Sequence, residues 1–318
     1  MSRIDSISVS APSRLHFGLF DVSGTTSRTF GGAGLMISEP RTVVTVSLAE
    51  VGMETNAPAA INEELNLAVE RLQGGNGCPS LSISIQSSPP SHSGFGSKTS
   101  VILSALAGAN ELLSLGKSQH ELKLASARGR TSGVGIHGFF SGGLVVDAGQ
   151  SGRNPVVPTS VSTSASYSTQ TNRIDFPDEW KVCLFSVPGT RYSGKAEVEL
   201  FRNRPRVSEE TTLLQISACH HEVVPAIIEK NFADFLLGHE KMTSAGFKQY
   251  EISRQSNSVK ELISQLKKHN LCVGMSSIGP LVYTIVDDLA LLKDLELRAK
   301  IPGFEIVSAD NRGWVING

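Results

Sequence analysis

The chain of 318 residues is short of several things, and each shortage excludes a class of protein. It has four cysteines, Cys78, Cys183, Cys219 and Cys272, set far apart and without a C-x-x-C pair. A disulfide framework and a zinc ribbon are therefore not expected, and reduced thiols in a cytoplasmic protein are. No apolar stretch is long enough to span a bilayer, and the first residues, MSRIDSISVS, contain no apolar signal core. Charge of one sign is also missing. With 29 basic and 30 acidic side chains the formal net charge is −1, so no bulk field draws nucleic acid or an anionic membrane, and any anion binding must be local. No internal repeat is visible. What remains, 40% hydrophobic and 19% charged residues, is ordinary globular composition at a length that favours two lobes.

Periodicity gives a coarse order of elements. SISVSAPSRLHFGLF and TVVTVSLAE have strand character, INEELNLAVERLQ (61–73) has helical spacing, and LSISIQ (81–86) returns to strict alternation. A helix is expected after residue 97 and another near 118–128, with GLVVDAG (143–149) a short apolar strand. The Ser/Thr-rich stretch 150–172 reads as a long mobile connection, which sets expected lobes of 1–172 and 173–318. The second lobe begins with the strand WKVCLFSVPG, is helical in its middle, and ends in the strands LVYTIV, FEIVSA and WVING. Strands and helices mixed without regular βαβ alternation indicate α+β.

Three motifs carry chemistry. Residues 90–100, PSHSGFGSKTS, are a glycine-broken loop feeding an apolar helix. Such a junction offers unpaired N–H groups and the positive end of the helix dipole to a phosphate. Gly94 and Gly96 allow close approach of the backbone, and Ser97 and Lys98 can add donors. It is not a Walker A loop, because Ser97 separates Gly96 from Lys98. An ordinary helix-capping turn would look the same. The second motif is PSRLHFGLFD…SRTFGGAG, in which Arg14 and His16, two apart, project from one face of a strand, with Asp21 and Arg28 close behind. The bland alternative is a surface strand with scattered charges. The third is VGMSSIGPLVYTIV, a glycine–serine turn entering an apolar run, which alone is an ordinary loop. The pairs His220–His221 and Asp287–Asp288 have no partner motif and read as solvated positions.

Taken in order, the three motifs resemble the GHMP superfamily of small-molecule kinases and their relatives. PPSHSGFGSKTS is similar to its phosphate loop, P-x-x-x-G-L-G-S-S-A, and VGMSSIGPLVYTIV to its late glycine motif. The resemblance implies a lobe like domain 2 of ribosomal protein S5 followed by a ferredoxin-like lobe. APSRLHFGLFDVSG, RTFGGAGLMIS, GRTSGVGIHGFFSGGLVVDAG and GMSSIGPLVYTIV resemble one branch more closely, the β-ribofuranosylaminobenzene 5′-phosphate synthases of methanopterin biosynthesis. The sequence departs from the pattern at Phe95 and Lys98–Ser100, and at Met275.

That branch implies a cytoplasmic homodimer that joins phosphoribosyl pyrophosphate to 4-aminobenzoate, or a related hydroxybenzoate, with loss of CO₂ and pyrophosphate. Mg²⁺ is the implied cofactor, its protein ligands unassigned, and no tightly bound organic cofactor is expected. Carried onto this sequence, the resemblance implies a phosphate site at Ser93, Gly94, Phe95, Gly96, Ser97, Lys98 and Thr99. Arg14, His16, Asp21 and Arg28 become the catalytic set. In it Asp21 stabilises the ribosyl cation, Arg14, Arg28 and Lys98 clamp anions, and His16 orients a carboxylate. Ser132, Gly133, Ser276 and Ser277 become substrate contacts. Many superfamily kinases have an acid in a segment like S-G-(V/I)-D, where this chain has Ser132-Gly133-Val134-Gly135. Loss of a general base commonly costs a factor of ~10²–10⁴, which favours the transferase over an ATP-dependent kinase. A catalytically inactive sugar-phosphate sensor is the third reading, and the intact RLHFGLFD segment argues against it.

Overall fold

The computed structural model describes residues 5–74, 79–128, 131–152, 166–269, 271–290 and 304–317. In chain order the first part contains β1 (Ser6–Leu19), β2 (Arg28–Thr29), β3 (Gly32–Leu48), β4 (Met53–Thr55) and α1 (Ala59–Gln73). Then come β5 (Leu81–Ser87), α2 (Ser97–Leu112), α3 (Gln119–Ser126), α4 (Gly133–Ser141), β6 (Leu144–Asp147), β7 (Gln150–Ser151) and β8 (Gln170–Ile174). The second part contains β9 (Lys181–Phe185), α5 (Gly194–Arg202) and α6 (Glu209–Ala218). A π-helical turn (Cys219–Val223) leads into α7 (Val224–Glu229), α8 (Phe232–Thr243), α9 (Gly246–Ser253) and α10 (Asn257–Lys267). It closes with β10 (Cys272–Met275), β11 (Val282–Val286), β12 (Phe304–Val307) and β13 (Val315–Asn317).

β1 and β3 are long antiparallel partners, and β3 serves two neighbours on its far edge. Its second half pairs with β5 and its first half with β6, so the seven-stranded sheet forks there. The alternation in TVVTVS is obeyed, since Thr42, Val44 and Val46 are buried and their neighbours are not. On α1 the buried Ile61, Leu65, Val69 and Leu72 form one stripe, and Gly74 (φ 77°) ends the helix in a left-handed turn. A β-bulge between His16 and Gly18 bends β1 where it passes the site.

The second sheet runs β10–β11–β9–β12, all antiparallel, which is the 4-1-3-2 strand order of a ferredoxin-like lobe. One core joins the two sheets. Leu15, Phe17 and Leu35 from the first pack in one cluster with Val182, Leu184, Tyr283 and Ile285 from the second, and with Phe235 of α8. His239 and Tyr283 meet inside it, Nε2 to Oη at 2.9 Å. The expected lobe boundary at 172/173 falls inside β8, which pairs with β6, and β13 returns to the edge of β1. Sheet membership therefore does not follow a single cut in the chain. Much of the Ser/Thr-rich connection, 153–165, lies outside the described residues.

α4, α5, α9 and β10 escape the periodicity reading, as do the short strands β2, β4, β7 and β8. The α4 segment GVGIHGFFS has three glycines in nine residues, a composition that disfavours helix. Packing overrides it, because a Cβ on Gly138 would stand 2.3 Å from Met36 Sδ, so only glycine lets the helix lie this close to β3. Cys183, Cys219 and Cys272 are buried free thiols, and burial pushes Cys219 up to about 12; Cys78 lies outside the described residues.

Candidate active site

A cavity opens where the glycine loop, the bent part of β1, the start of α4, α5, α9 and the turn after β10 converge. Arg14, His16, Gly94, Gly96, Ser97, Lys98, Thr99, Ser132 and Ser277, all expected from the sequence, line it. Asp21, Arg28, Ser93, Phe95, Gly133 and Ser276 are not among its lining residues.

The cationic end is built around α2. Gly96 (φ 75°) is its N-cap and no side chain caps the helix; Thr99 N–H donates to Gly96 O at 3.1 Å, and the helix start offers the Ser97 and Lys98 N–H groups to an anion. Arg14 binds the loop twice, its backbone N–H to Phe95 O at 3.0 Å and its guanidinium Nη1 to Gly94 O at 3.2 Å. A Cβ on Gly96 would stand 2.8 Å from Arg14 Cγ, which is why glycine is needed there for conformation and for space. Lys98 Nζ meets Glu64 Oε1 at 2.5 Å, and Arg128 Nη1 meets Glu64 Oε2 at 2.9 Å. Arg128 Nε also donates to Thr99 Oγ1 at 3.4 Å. Burial lowers both guanidinium groups, Arg14 to about 10, and leaves them charged at neutral pH.

Farther along β1 stands His16. Burial, then the charges of Arg14 and Lys248, hold its imidazole well below the ordinary histidine range, so it is neutral and can accept a hydrogen bond. Its backbone is fixed by Ser276 Oγ, which accepts from His16 N–H at 3.0 Å and donates to Gly94 O at 2.6 Å. Ser276 is thus a clasp between strand and loop. Ser277 (φ 54°) carries the turn on into the cavity wall and donates its N–H to His16 O. Leu19, Tyr192, Phe201 and Ile278 supply an apolar and aromatic side, and Glu197 and Glu251 bring carboxylates.

The remaining expected residues have other partners. Asp21 (φ 48°) accepts from Thr25 N–H at 2.6 Å and Thr26 N–H at 2.7 Å, one on each carboxylate oxygen, and so ties the turn 21–26. Arg28 donates to Ala148 O, Gly149 O and Thr169 Oγ1, stapling β2 to β7. Ser93 Oγ donates to Pro90 O at 2.5 Å, and the Phe95 ring is in the core. Gly133 lies against Asp147, where a Cβ would meet the carboxylate at 2.4 Å. Asp147 is itself buried, which raises it to about 7.

Sequence reasoning missed Arg128, Glu64, Glu197, Lys248 and Glu251. The local trace of the last pair is an opposite charge at i,i+3 on α9, interleaved with Phe247 and Tyr250, a pattern shared by many surface helices. Position 135 bears on the chemistry. A Cβ there would have 3.6 Å to Thr99 Cγ2 and 3.9 Å to Arg14, so the glycine occupies a position whose β-carbon would lie against Arg14.

Among described residues no group of three or more His, Cys, Asp or Glu converges to hold a metal, and no helix is long and apolar enough to cross a membrane. The GHMP kinases N-terminal domain profile matches residues 60–143. The β-ribofuranosylphenol 5′-phosphate synthase of Methanocaldococcus jannaschii is 31% identical over 302 residues, 88% of this chain and 89% of that one. The synthase of the same name from Archaeoglobus fulgidus is 31% identical over 317 residues, 95% and 96% of the two chains. The chain belongs to this synthase family, within the GHMP superfamily. The family's fold extends to solved structures of low identity. Homoserine kinase from Cytophaga hutchinsonii superposes with a TM-score of 0.72 at 13% identity, over 100% of this chain and 99% of that one. Mevalonate pyrophosphate decarboxylase from Streptococcus pyogenes gives 0.68 at 12%, over 98% of each. The two-lobed GHMP fold expected from the motifs is the observed one, and the synthase branch is the one the family members represent. Their name specifies a phenol where the sequence motifs suggested an aminobenzene.

Proposed function

We propose that the chain is a decarboxylating phosphoribosyltransferase that joins phosphoribosyl pyrophosphate to an aromatic 4-substituted benzoate. The acceptor is 4-hydroxybenzoate, which gives a phenol product like that in the relatives' name; 4-aminobenzoate would give the aminobenzene. The observation that carries this reading is the meeting of Arg14, Lys98 and Arg128 at the uncapped N-terminus of α2, with Gly135 in place of an acid. Such a cradle stabilises a departing pyrophosphate by fixed donors and charge. The apolar side formed by Leu19, Phe201 and Ile278 suits the flat acceptor ring.

Electrons balance as follows. The C1–O bond of the donor breaks and its pair leaves with pyrophosphate. A ring π pair of the acceptor, at the carbon bearing the carboxylate, forms the new C–C bond to C1. The C–CO₂ bond pair then returns to the ring as CO₂ departs. Neutral His16 can accept and orient the acceptor's polar group. The donor set fits a cation that arrives on substrate phosphates, such as Mg²⁺, with Glu197 as its protein carboxylate. When bound, it would neutralise charge on the pyrophosphate. The place of action is methanopterin biosynthesis, in a cytoplasmic homodimer.

The test is direct. With carboxyl-labelled 4-hydroxybenzoate, the donor and Mg²⁺, labelled CO₂ and pyrophosphate should appear in equal amounts, and ATP with small alcohols should give no ADP. A product that keeps the label, or ADP formation without CO₂, would overturn the reading, the latter in favour of a GHMP kinase.

A further inference from the structure

The reaction proposed above builds positive charge on C1 of the ribosyl group, and a carboxylate beside that carbon would stabilise it. Asp21 is not positioned for this, since both of its oxygens accept backbone N–H groups in its own turn. Glu64 divides its oxygens between Lys98 and Arg128. Glu197 stands half-buried on α5. Glu251 differs from these, being 3% exposed and yet lining the cavity.

Its setting is specific. Lys248 Nζ forms an ion pair with Glu251 Oε2 at 2.6 Å. Lys248, 1% exposed, is pinned by Met275 O at 3.1 Å and Ser277 O at 3.3 Å, carbonyls of the turn that walls the cavity. β1 relates this pair to the cradle. Arg14 grips the loop, His16 two residues on feels both Arg14 and Lys248, and a Cβ on Gly18 would stand 3.9 Å from Lys248 Cε. Glu251 therefore borders the cavity just past Arg14, where a C1 still joined to cradled pyrophosphate would be held. Burial opposes its ionisation, while Lys248 and Arg14 favour it. A buried carboxylate facing two cations has lost its water and keeps its field.

We propose that Glu251, held in place by Lys248, is the carboxylate that stabilises the ribosyl cation as the C1–O bond breaks and the bonding pair leaves with pyrophosphate. This rests on the phosphoribosyltransferase reading. Glu251 forms no bond to C1 and transfers no proton, and Lys248 acts as the positioning residue.

The test uses the whole protein with phosphoribosyl pyrophosphate, 4-hydroxybenzoate and Mg²⁺, comparing Glu251→Gln with the double variant Lys248→Met/Glu251→Gln. Pyrophosphate release, donor binding without acceptor, and thermal unfolding are each measured. The charge-free glutamine should lower kcat by ~10²–10³-fold and change donor Kd by less than about threefold. Lys248→Met removes the stranded ammonium, so the double variant should regain thermal stability without regaining kcat. Recovery of kcat along with stability, or a Glu251→Gln rate within about threefold of the unmodified protein, would overturn the assignment alone. Should Glu251→Gln fail to fold, Glu251→Asp keeps the pair but retracts the charge. It should lower kcat at unchanged donor affinity, and an unaltered rate would again overturn the role. No pyrophosphate release from the unmodified protein would overturn the reaction reading, and this role with it.

Discussion

Two glycines beside Arg14, Gly96 and Gly135, should respond to alanine with opposite sign. Gly96 has φ 75°, and its added Cβ would lie 2.8 Å from Arg14 Cγ and 3.0 Å from Arg14 Nε. The left-handed conformation alone costs a non-glycine residue ~1–2 kcal/mol. The methyl group also meets the middle of the Arg14 side chain rather than its free end. Arg14 must shift, which breaks the bond from Nη1 to Gly94 O, and a hydrogen bond from a charged donor is worth ~1.5–3 kcal/mol. Gly96→Ala should therefore destabilise by roughly 2–4 kcal/mol, allowing for partial relaxation. Gly135 is helical, and its Cβ would meet nothing closer than Thr99 Cγ2 at 3.6 Å. Gly135→Ala should stabilise by about 0.5–1 kcal/mol through the lower backbone entropy of the unfolded chain. Urea unfolding of the two variants at equal m-value reads both numbers. Donor binding should weaken in Gly96→Ala, where Arg14 is displaced, and hold in Gly135→Ala. Equal stability changes, or an unaffected donor site in Gly96→Ala, would refute the contact between Arg14 and the loop.

Lys98→Ala should weaken donor binding by about tenfold with little loss of stability, because Glu64 keeps Arg128, and isothermal titration would detect this. Asp21→Asn leaves one backbone N–H of its turn without an acceptor, so calorimetry should show a loss of ~1–3 kcal/mol. Acid should destabilise the protein: burial first, then neighbouring cations, holds His16 low, His137 at about 4 and His239 at about 3. The unfolded chain takes up these protons near pH 6.5, so stability is lost as pH falls below that value. Asp147, raised to about 7, acts oppositely and loses stabilisation as pH rises toward 7, and Glu251, also raised, acts in the same direction as Asp147. With the partly buried His92 and His220, also held low, the histidines outnumber these two carboxylates, so stability should fall as pH drops below about 6.5, and stability constant from pH 7 to 5 would contradict the burial of these groups.

What the chain determines by itself is what lies close along it. The alternation of TVVTVS sets the faces of β3, the i,i+4 stripe from Ile61 to Leu72 sets α1, and a glycine loop running into an apolar helix makes an anion cradle wherever it is placed. Arg14 and His16 share a strand face because strands have a period of two, and this too is local. Tertiary structure decided the rest. Arg128 and Glu64 reach the loop only because α1, α2 and α3 pack over one core. Lys248 and Glu251 reach β1 only because Leu15, Phe17, Leu184 and Tyr283 join the two sheets. Asp21 and Arg28 stand beside the motif in sequence, yet Asp21 is held by N–H groups of its own turn, and Arg28 by carbonyls that only the folded chain brings within reach. In α4 the glycines oppose helix locally, and contact with Met36 requires one of them, Gly138. The difference is one of range. Periodicity and caps act over a few residues, whereas the partner of a buried charge is chosen by which surfaces the hydrophobic core brings together.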